Sequence, residues 1–142
     1  MTAADRAERL FRGPCNCCQS VLGSVAPDLG LDEGTAIRLA TAFGGGMGRM
    51  GGVCGAVTGA FLVLGLKHGD PSASGESKEH VYRLVRAFVE EFSRLHGSID
   101  CRDLLGCEIG TPEGMAEAKE KGLFDTICVG FVRDSVDILI GL

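Results

Sequence analysis

The chain of 142 residues contains no tryptophan, one tyrosine and only 6% aromatic residues. An interface or base-stacking surface built on aromatic anchors is therefore not expected. An excess of positive charge is also missing. Fourteen Lys and Arg face nineteen Asp and Glu, a formal net charge of −5. General nucleic-acid binding needs a basic footprint, so that class is excluded. Long apolar runs are absent too. The longest, Val53 to Leu66, has fourteen residues, three of them glycine. A membrane span takes about 20, so this segment reads as a buried core helix. The opening MTAADRAERLFRG alternates charges and has no apolar stretch of the kind a secretory signal carries. The cytoplasm is the expected compartment. Thiols stay reduced there, and clustered cysteines serve redox or metal chemistry more often than stapling.

Strand signals are lacking as well. No segment alternates apolar and polar residues between hairpin turns. Apolar residues recur instead at helical spacing, most clearly from Ser77 to His96, where Val81, Leu84, Val85, Phe88, Val89, Phe92 and Leu95 share a face. Further helices are expected over Ala3 to Phe11, from Pro14 through CNCCQSVLGSV, from Glu33 to Phe43 behind an Asp32 cap, and over Val53 to Leu66. Others should cover CRDLLG behind Asp100, the Thr111-capped TPEGMAEAKEKG, and the last stretch behind Asp125. HGDPSASGES is a loop. The expected fold is a single all-α domain over 1–142, a helical bundle with a glycine-rich loop before a central buried helix.

What is abundant is glycine, 22 residues or about twice the usual share, and cysteine, seven residues. Seven is odd, so at least one thiol stays outside any intramolecular disulfide. Glycine concentrates in FGGGMGRMGGVCGAVTG, Phe43 to Gly59, which holds eight glycines and one cysteine, Cys54. Gly46, Gly48 and Gly51 match GxGxxG formally. That fingerprint works between a strand and a helix, and the residues before it are helical in pattern, so a nucleotide site is disfavoured. Gly51, Gly55 and Gly59 recur every four residues and are expected to form a side-chain-free stripe for close helix approach. Packing alone would explain such a stripe equally well.

Cys17, Cys54, Cys101 and Cys128 lie in four distant segments, each at the expected start of a helix. Unpaired N–H groups and the positive dipole end favour a thiolate there. A thiolate is the form that attacks, reduces or ligates. Buried cysteine as a small hydrophobe is the plain alternative. Cys15 and Cys18 form a CxxC without the βαβ context of a redox motif. Cys18 and Cys107 read as core filler, and Cys15 as a resolving or alternative thiol. His68, His80 and His96 have no metal-ligand spacing. Arg49 and Arg102 lie near the selected cysteines in sequence, where a guanidinium would favour thiolate, although each also reads as an ordinary surface arginine.

NCCQSVL, FGGGMGRMGGVCGAVTGA, CRDLLG followed by TPEG, and the late Cys128 resemble the C-GCAxxG-C-C family of redox-active proteins. Its Cys-Gly-Ala-x-x-Gly element corresponds to Cys54-Gly55-Ala56-Val57-Thr58-Gly59. The resemblance covers nearly the whole chain, and its four characteristic cysteines fall on Cys17, Cys54, Cys101 and Cys128. The chain departs from the pattern at Cys18, where alanine is common, and in carrying Cys15 and Cys107. The resemblance implies electron or thiol transfer, with a redox partner or a transporter-associated protein.

Two forms of the four-cysteine centre are expected. One is an iron–sulfur cluster, [2Fe–2S], on the four thiolates, with Gly55 and Gly59 letting the helices close on it. The other is a set of dithiol/disulfide pairs with Cys54 as attacking thiolate. A structural zinc site and a non-catalytic interaction module are the alternatives.

Overall fold

The computed structural model describes residues 1–142. It is all-helical with no strand, as the periodicity requires. The helices are α1 (Ala3–Arg12), α2 (Cys17–Val25), α3 (Glu33–Ala40), α4 (Gly55–His68), α5 (Gly75–His96), α6 (Cys101–Leu105), α7 (Pro112–Glu120), α8 (Leu123–Thr126) and α9 (Cys128–Ile140). No helix is long and apolar enough to cross a membrane.

The helix ends follow local chemistry. The side chains of Thr2, Asn16, Asp32, Ser74 and Thr111 each accept a hydrogen bond from an N–H of the following first turn. The long helix α5 stops at Gly97, whose φ of 85° is open to glycine at no steric cost. Three boundaries differ from expectation. Pro14 lies outside α2, because the Asn16 side chain accepts from the Gln19 N–H while Gln19 Oε1 accepts from the Asn16 N–H, a reciprocal box that fixes the start at Cys17. Asp125 sits inside the one-turn α8, so α9 begins behind Ile127 with no side-chain cap. Val53 forms a lone antiparallel bridge with Asp100, and α4 starts two residues later.

α2 is the hub, packed against α1, α3, α4 and α9. Its contact with α4 is close because α4 presents glycine there. A Cβ on Gly59 would lie 2.9 Å from Val21 Cβ and 3.1 Å from the Cys18 carbonyl oxygen. One on Gly55 would lie 3.0 Å from the Cys18 nitrogen and 3.1 Å from Cys17 Cβ. Gly51 does not belong to this stripe, since it lies in the preceding loop at φ 77°. α9 is tied to the start of α4 by the buried Ser135 hydroxyl, which donates to the Ala56 carbonyl at 3.0 Å. On the far side of the molecule α5 inserts Phe88 and Phe92, both fully buried, into the same core. Their rings stack with centroids 5.9 Å apart.

Candidate functional site

Gly44 to Gly52 is neither a phosphate cradle nor part of a helix. Gly45, Gly46, Met47, Gly48 and Arg49 have φ of 64°, 69°, 67°, 57° and 66° in succession, a complete left-handed turn. Left-handed backbone costs an L-residue about 1–2 kcal/mol, and glycine escapes that cost. The turn consumes its own amides. The N–H groups of Met47 through Gly52 donate to carbonyls between Ala42 and Met47, so they are unavailable to a nucleotide's phosphates.

The turn delivers Cys54 to Cys101. The Cys54 N–H donates to the Ile99 carbonyl at 2.7 Å, and the Cys101 N–H donates to the Gly52 carbonyl at 2.7 Å, on either side of the Val53–Asp100 bridge. Side chains alternate along such a ladder, so both cysteines leave it on the face opposite Val53 and Asp100. They hold diagonal positions, which lie about 7–8 Å apart. A disulfide needs Cα atoms within about 6.8 Å. Gly46 lies behind them. A Cβ there would stand 2.6 Å from Gly52 backbone atoms and 2.8 Å from Cys101 Cβ.

Cys17 and Cys128, the first residues of α2 and α9, form the second pair. Their thiols interact, which raises the pKa of Cys17 and lowers that of Cys128. The two pairs face one cavity of about 520 Å³, which Cys15 also lines. Cys18 and Cys107 are buried away from it, in the core. All seven cysteines are free thiols. The four selected cysteines thus share a cavity, and Cys17 feels the charge of the other three. No three His, Cys, Asp or Glu side chains meet where a single ion would sit.

The expected depression of thiol pKa by the helix start prevails at none of the four positions. Burial pushes Cys54 up to about 12, against a smaller pull from the Ala56 and Val57 amides. Cys54 is itself the N-cap residue and closes no capping bond. Burial and the neighbouring Cys128 push Cys101 up to about 11. Cys17 is raised because it keeps the proton it shares with Cys128 and because it is buried. Cys128 alone is lowered, and the Cys17 hydrogen bond is the cause. Desolvation thus outweighs the helix-end field at Cys54 and Cys101, and the contact between Cys17 and Cys128 decides the other two.

The cavity walls are apolar, with Phe11, Leu104, Ile109, Met115 and Phe124 among them. Arg49 lies at the mouth, while Arg102 turns away to Glu108 at 2.5 Å and to the Met50 carbonyl at 3.2 Å. Sequence reasoning missed the left-handed turn and Lys119, which also reaches the cavity. Five consecutive glycine-tolerant positions were a signal for the first. Nothing local marked the second.

No curated protein and no solved structure matches the chain. The model of the family described as "Putative redox-active protein (C_GCAxxG_C_C)" matches residues 15–142, from Cys15 to the last residue and including all four selected cysteines. The chain belongs to the C_GCAxxG_C_C family.

Proposed function

We propose that the protein transfers electrons through a centre built on Cys17, Cys54, Cys101 and Cys128, with a [2Fe–2S] cluster as the group they hold. The observation that carries this reading is the grouping of four cysteines, from four remote segments, as two pairs on one cavity. A [2Fe–2S] cluster takes four thiolates over two irons. The pairs Cys17/Cys128 and Cys54/Cys101 fit that donor set. Structural zinc, which gathers four ligands around a single ion, is the competing use of the same four thiolates. When bound, the cluster would supply one-electron transfer and the positive charge that lets buried thiols lose their protons. The chain's own part is to bring the pairs together. Gly55 and Gly59 let α4 close on α2, and the left-handed turn holds Cys54 beside Cys101.

A second reading is favoured by the hydrogen bond between Cys17 and Cys128. These two would cycle between dithiol and disulfide. The Cys128 thiolate attacks a partner disulfide and expels one partner thiolate. Cys17 then loses its proton, attacks the mixed disulfide and releases the second, leaving the partner reduced by two electrons and the Cys17–Cys128 disulfide formed. Cys128 rather than Cys54 takes the attacking role, because burial keeps Cys54 protonated. The partner is a redox protein or a transporter-associated protein in either reading.

Anaerobic purification with a visible spectrum and analysis of iron, sulfide and zinc separates these readings. Iron with acid-labile sulfide, lost in Cys17→Ser and Cys54→Ser, supports the cluster. Metal-free protein that loses two titratable thiols on oxidation, and none in Cys17→Ser, supports the dithiol pair. Zinc selects a structural site. Metal-free protein whose cysteine variants lose only stability leaves an interaction module and sinks both redox readings.

A further inference from the structure

Every charged side chain that lines the cysteine cavity is a cation. Arg49 and Lys119 are there, and no Asp or Glu is, although acids outnumber bases nineteen to fourteen in the chain. Neither cation takes part in an ion pair, whereas Arg102, Arg133 and Lys121 all do. Both are exposed, at the mouth, with the thiols of Cys54, Cys101 and Cys128 buried beneath them.

Arg49 is held there at a cost. Its φ of 66° is one that glycine, the residue at most neighbouring positions, adopts freely. Its stem lies across Gly45, where a Cβ would stand 2.7 Å from Arg49 Cγ. The missing side chain of Gly45 is thus the room the arginine occupies. Strained non-glycine backbone of this kind persists where the side chain has work at a site. The cavity's volume of about 520 Å³ falls in the range of small-molecule sites, about 300–1,000 Å³.

We propose that this cavity binds a small amphipathic anion, an aryl or branched aliphatic acid, with its acidic group at Arg49 and Lys119 and its apolar body against Ile109, Met115 and Phe124. The acidic group pairs with the cations at the rim, and the body descends toward the cysteines. The proposal rests on the redox reading only in sharing its cavity: Arg49, Lys119, Ile109, Met115 and Phe124 supply the contacts, and none of the four cysteines does. It gives the redox centre a small-molecule partner class in addition to a protein one.

Isothermal titration of the anaerobically purified protein with 2-naphthoate and with neutral 2-naphthamide tests the proposal. Naphthoate should bind one per chain and at least about tenfold more tightly than the amide, a difference of about 1.4 kcal/mol. Arg49→Gly should abolish most of that preference while leaving the melting temperature unchanged or higher, since glycine suits the left-handed backbone. Arg49→Lys should retain part of the preference, and Lys119→Gln should weaken it. Absence of naphthoate binding would overturn the proposal. Equal binding of acid and amide, or a preference that survives the Arg49→Gly/Lys119→Gln double variant, would overturn it as well. Metal analysis and thiol counting on the same sample report on the redox centre separately, so either conclusion can fall without the other.

Discussion

The two ends of the bundle are built by different rules. The α5 side is an ordinary amphipathic helix. Ser74 starts it, Gly97 stops it, and Phe88 and Phe92 fill the core from one face. The cysteine side has five consecutive left-handed residues, a single isolated bridge, two short helices and glycines, Gly46, Gly55 and Gly59 among them, whose added Cβ would crowd a neighbour. Left-handed backbone runs consecutively only at the end that carries the thiols, and Ala73, in the loop before α5, is the one non-glycine residue elsewhere that adopts it. Stability is supplied by one region and chemical placement by the other.

Substitutions that cost similar stability at the two ends should therefore differ in their chemical effect. Phe88→Ala removes a fully buried ring that packs against Phe92 and, edge to face, against Phe61 at 6.2 Å. A loss of about 3–5 kcal/mol is expected in chemical denaturation, with the pH profile of cysteine alkylation unchanged below the melting point. Gly46→Ala puts a methyl group 2.6 Å from Gly52 backbone and 2.8 Å from Cys101 Cβ. The left-handed backbone and the overlap together should cost about 3 kcal/mol. Here the alkylation rate of Cys101 should change as well. Equal chemical silence in both variants would erase the distinction between the ends.

The same contrast exists within α4. Gly59 faces α2, and its added Cβ would meet Val21 at 2.9 Å, while a Cβ on Gly65 would meet nothing within 4 Å. Gly59→Ala should destabilise by about 1–3 kcal/mol. Gly65→Ala should stabilise by up to about 1 kcal/mol, because alanine is the better helix former. Thermal melts of the two single variants give opposite signs if glycine at 59 serves contact.

These differences mark how far the sequence could be read. α5 was legible because a surface helix has to repeat its apolar face every turn, and Phe88 and Phe92 do so. The four cysteines were legible as helix starts, and α2, α4, α6 and α9 begin at or beside them. Three things escaped the reading of local pattern. The Val53–Asp100 bridge joins residues far apart in sequence by a single pair, too short to show a period of two. The left-handed turn hid Gly51 from its true setting, because i, i+4 spacing in a glycine-rich stretch looks helical whatever the backbone does. The thiol pKa values depend on burial, and burial depends on the assembled fold. Cys54 looked like the activated thiol from its position alone, and desolvation reverses that.

A smaller and purely chemical effect belongs to Cys17. Its S–H group holds the Cys128 pKa below 9.0. In reduced, metal-free protein Cys128 should be the first thiol alkylated by iodoacetamide as pH rises. Cys17→Ala removes the donor, so the midpoint for Cys128 should move to higher pH, toward or past the ordinary thiol value as burial acts alone. A midpoint that stays in place would mean that the two sulfurs are independent, which would remove the observation behind the dithiol reading.

The smallest effect lies away from the thiols, on the seam between α1 and α9, and it checks that this seam follows the ordinary rules. The Asp5 carboxylate accepts from the Thr2 N–H while the Asp5 N–H donates to the Thr2 hydroxyl oxygen, and the carboxylate also accepts from Arg133 on α9 at 3.0 Å. The Thr2 backbone N–H, followed by Arg133, holds its pKa down at about 2 instead of 3.8. A carboxyl group depressed in the folded state adds stability above its unfolded pKa and loses it as pH falls through the folded value. Asp5→Asn should therefore melt below the wild type at pH 5 to 7, and the gap should narrow from about pH 3.8 downward and close near pH 2. Because the group is solvent-exposed, the gap will be small and will shrink with added salt. A gap that is independent of pH would place the contribution in the neutral cap geometry of Thr2 and leave the charge on Arg133 without a role in joining the two helices.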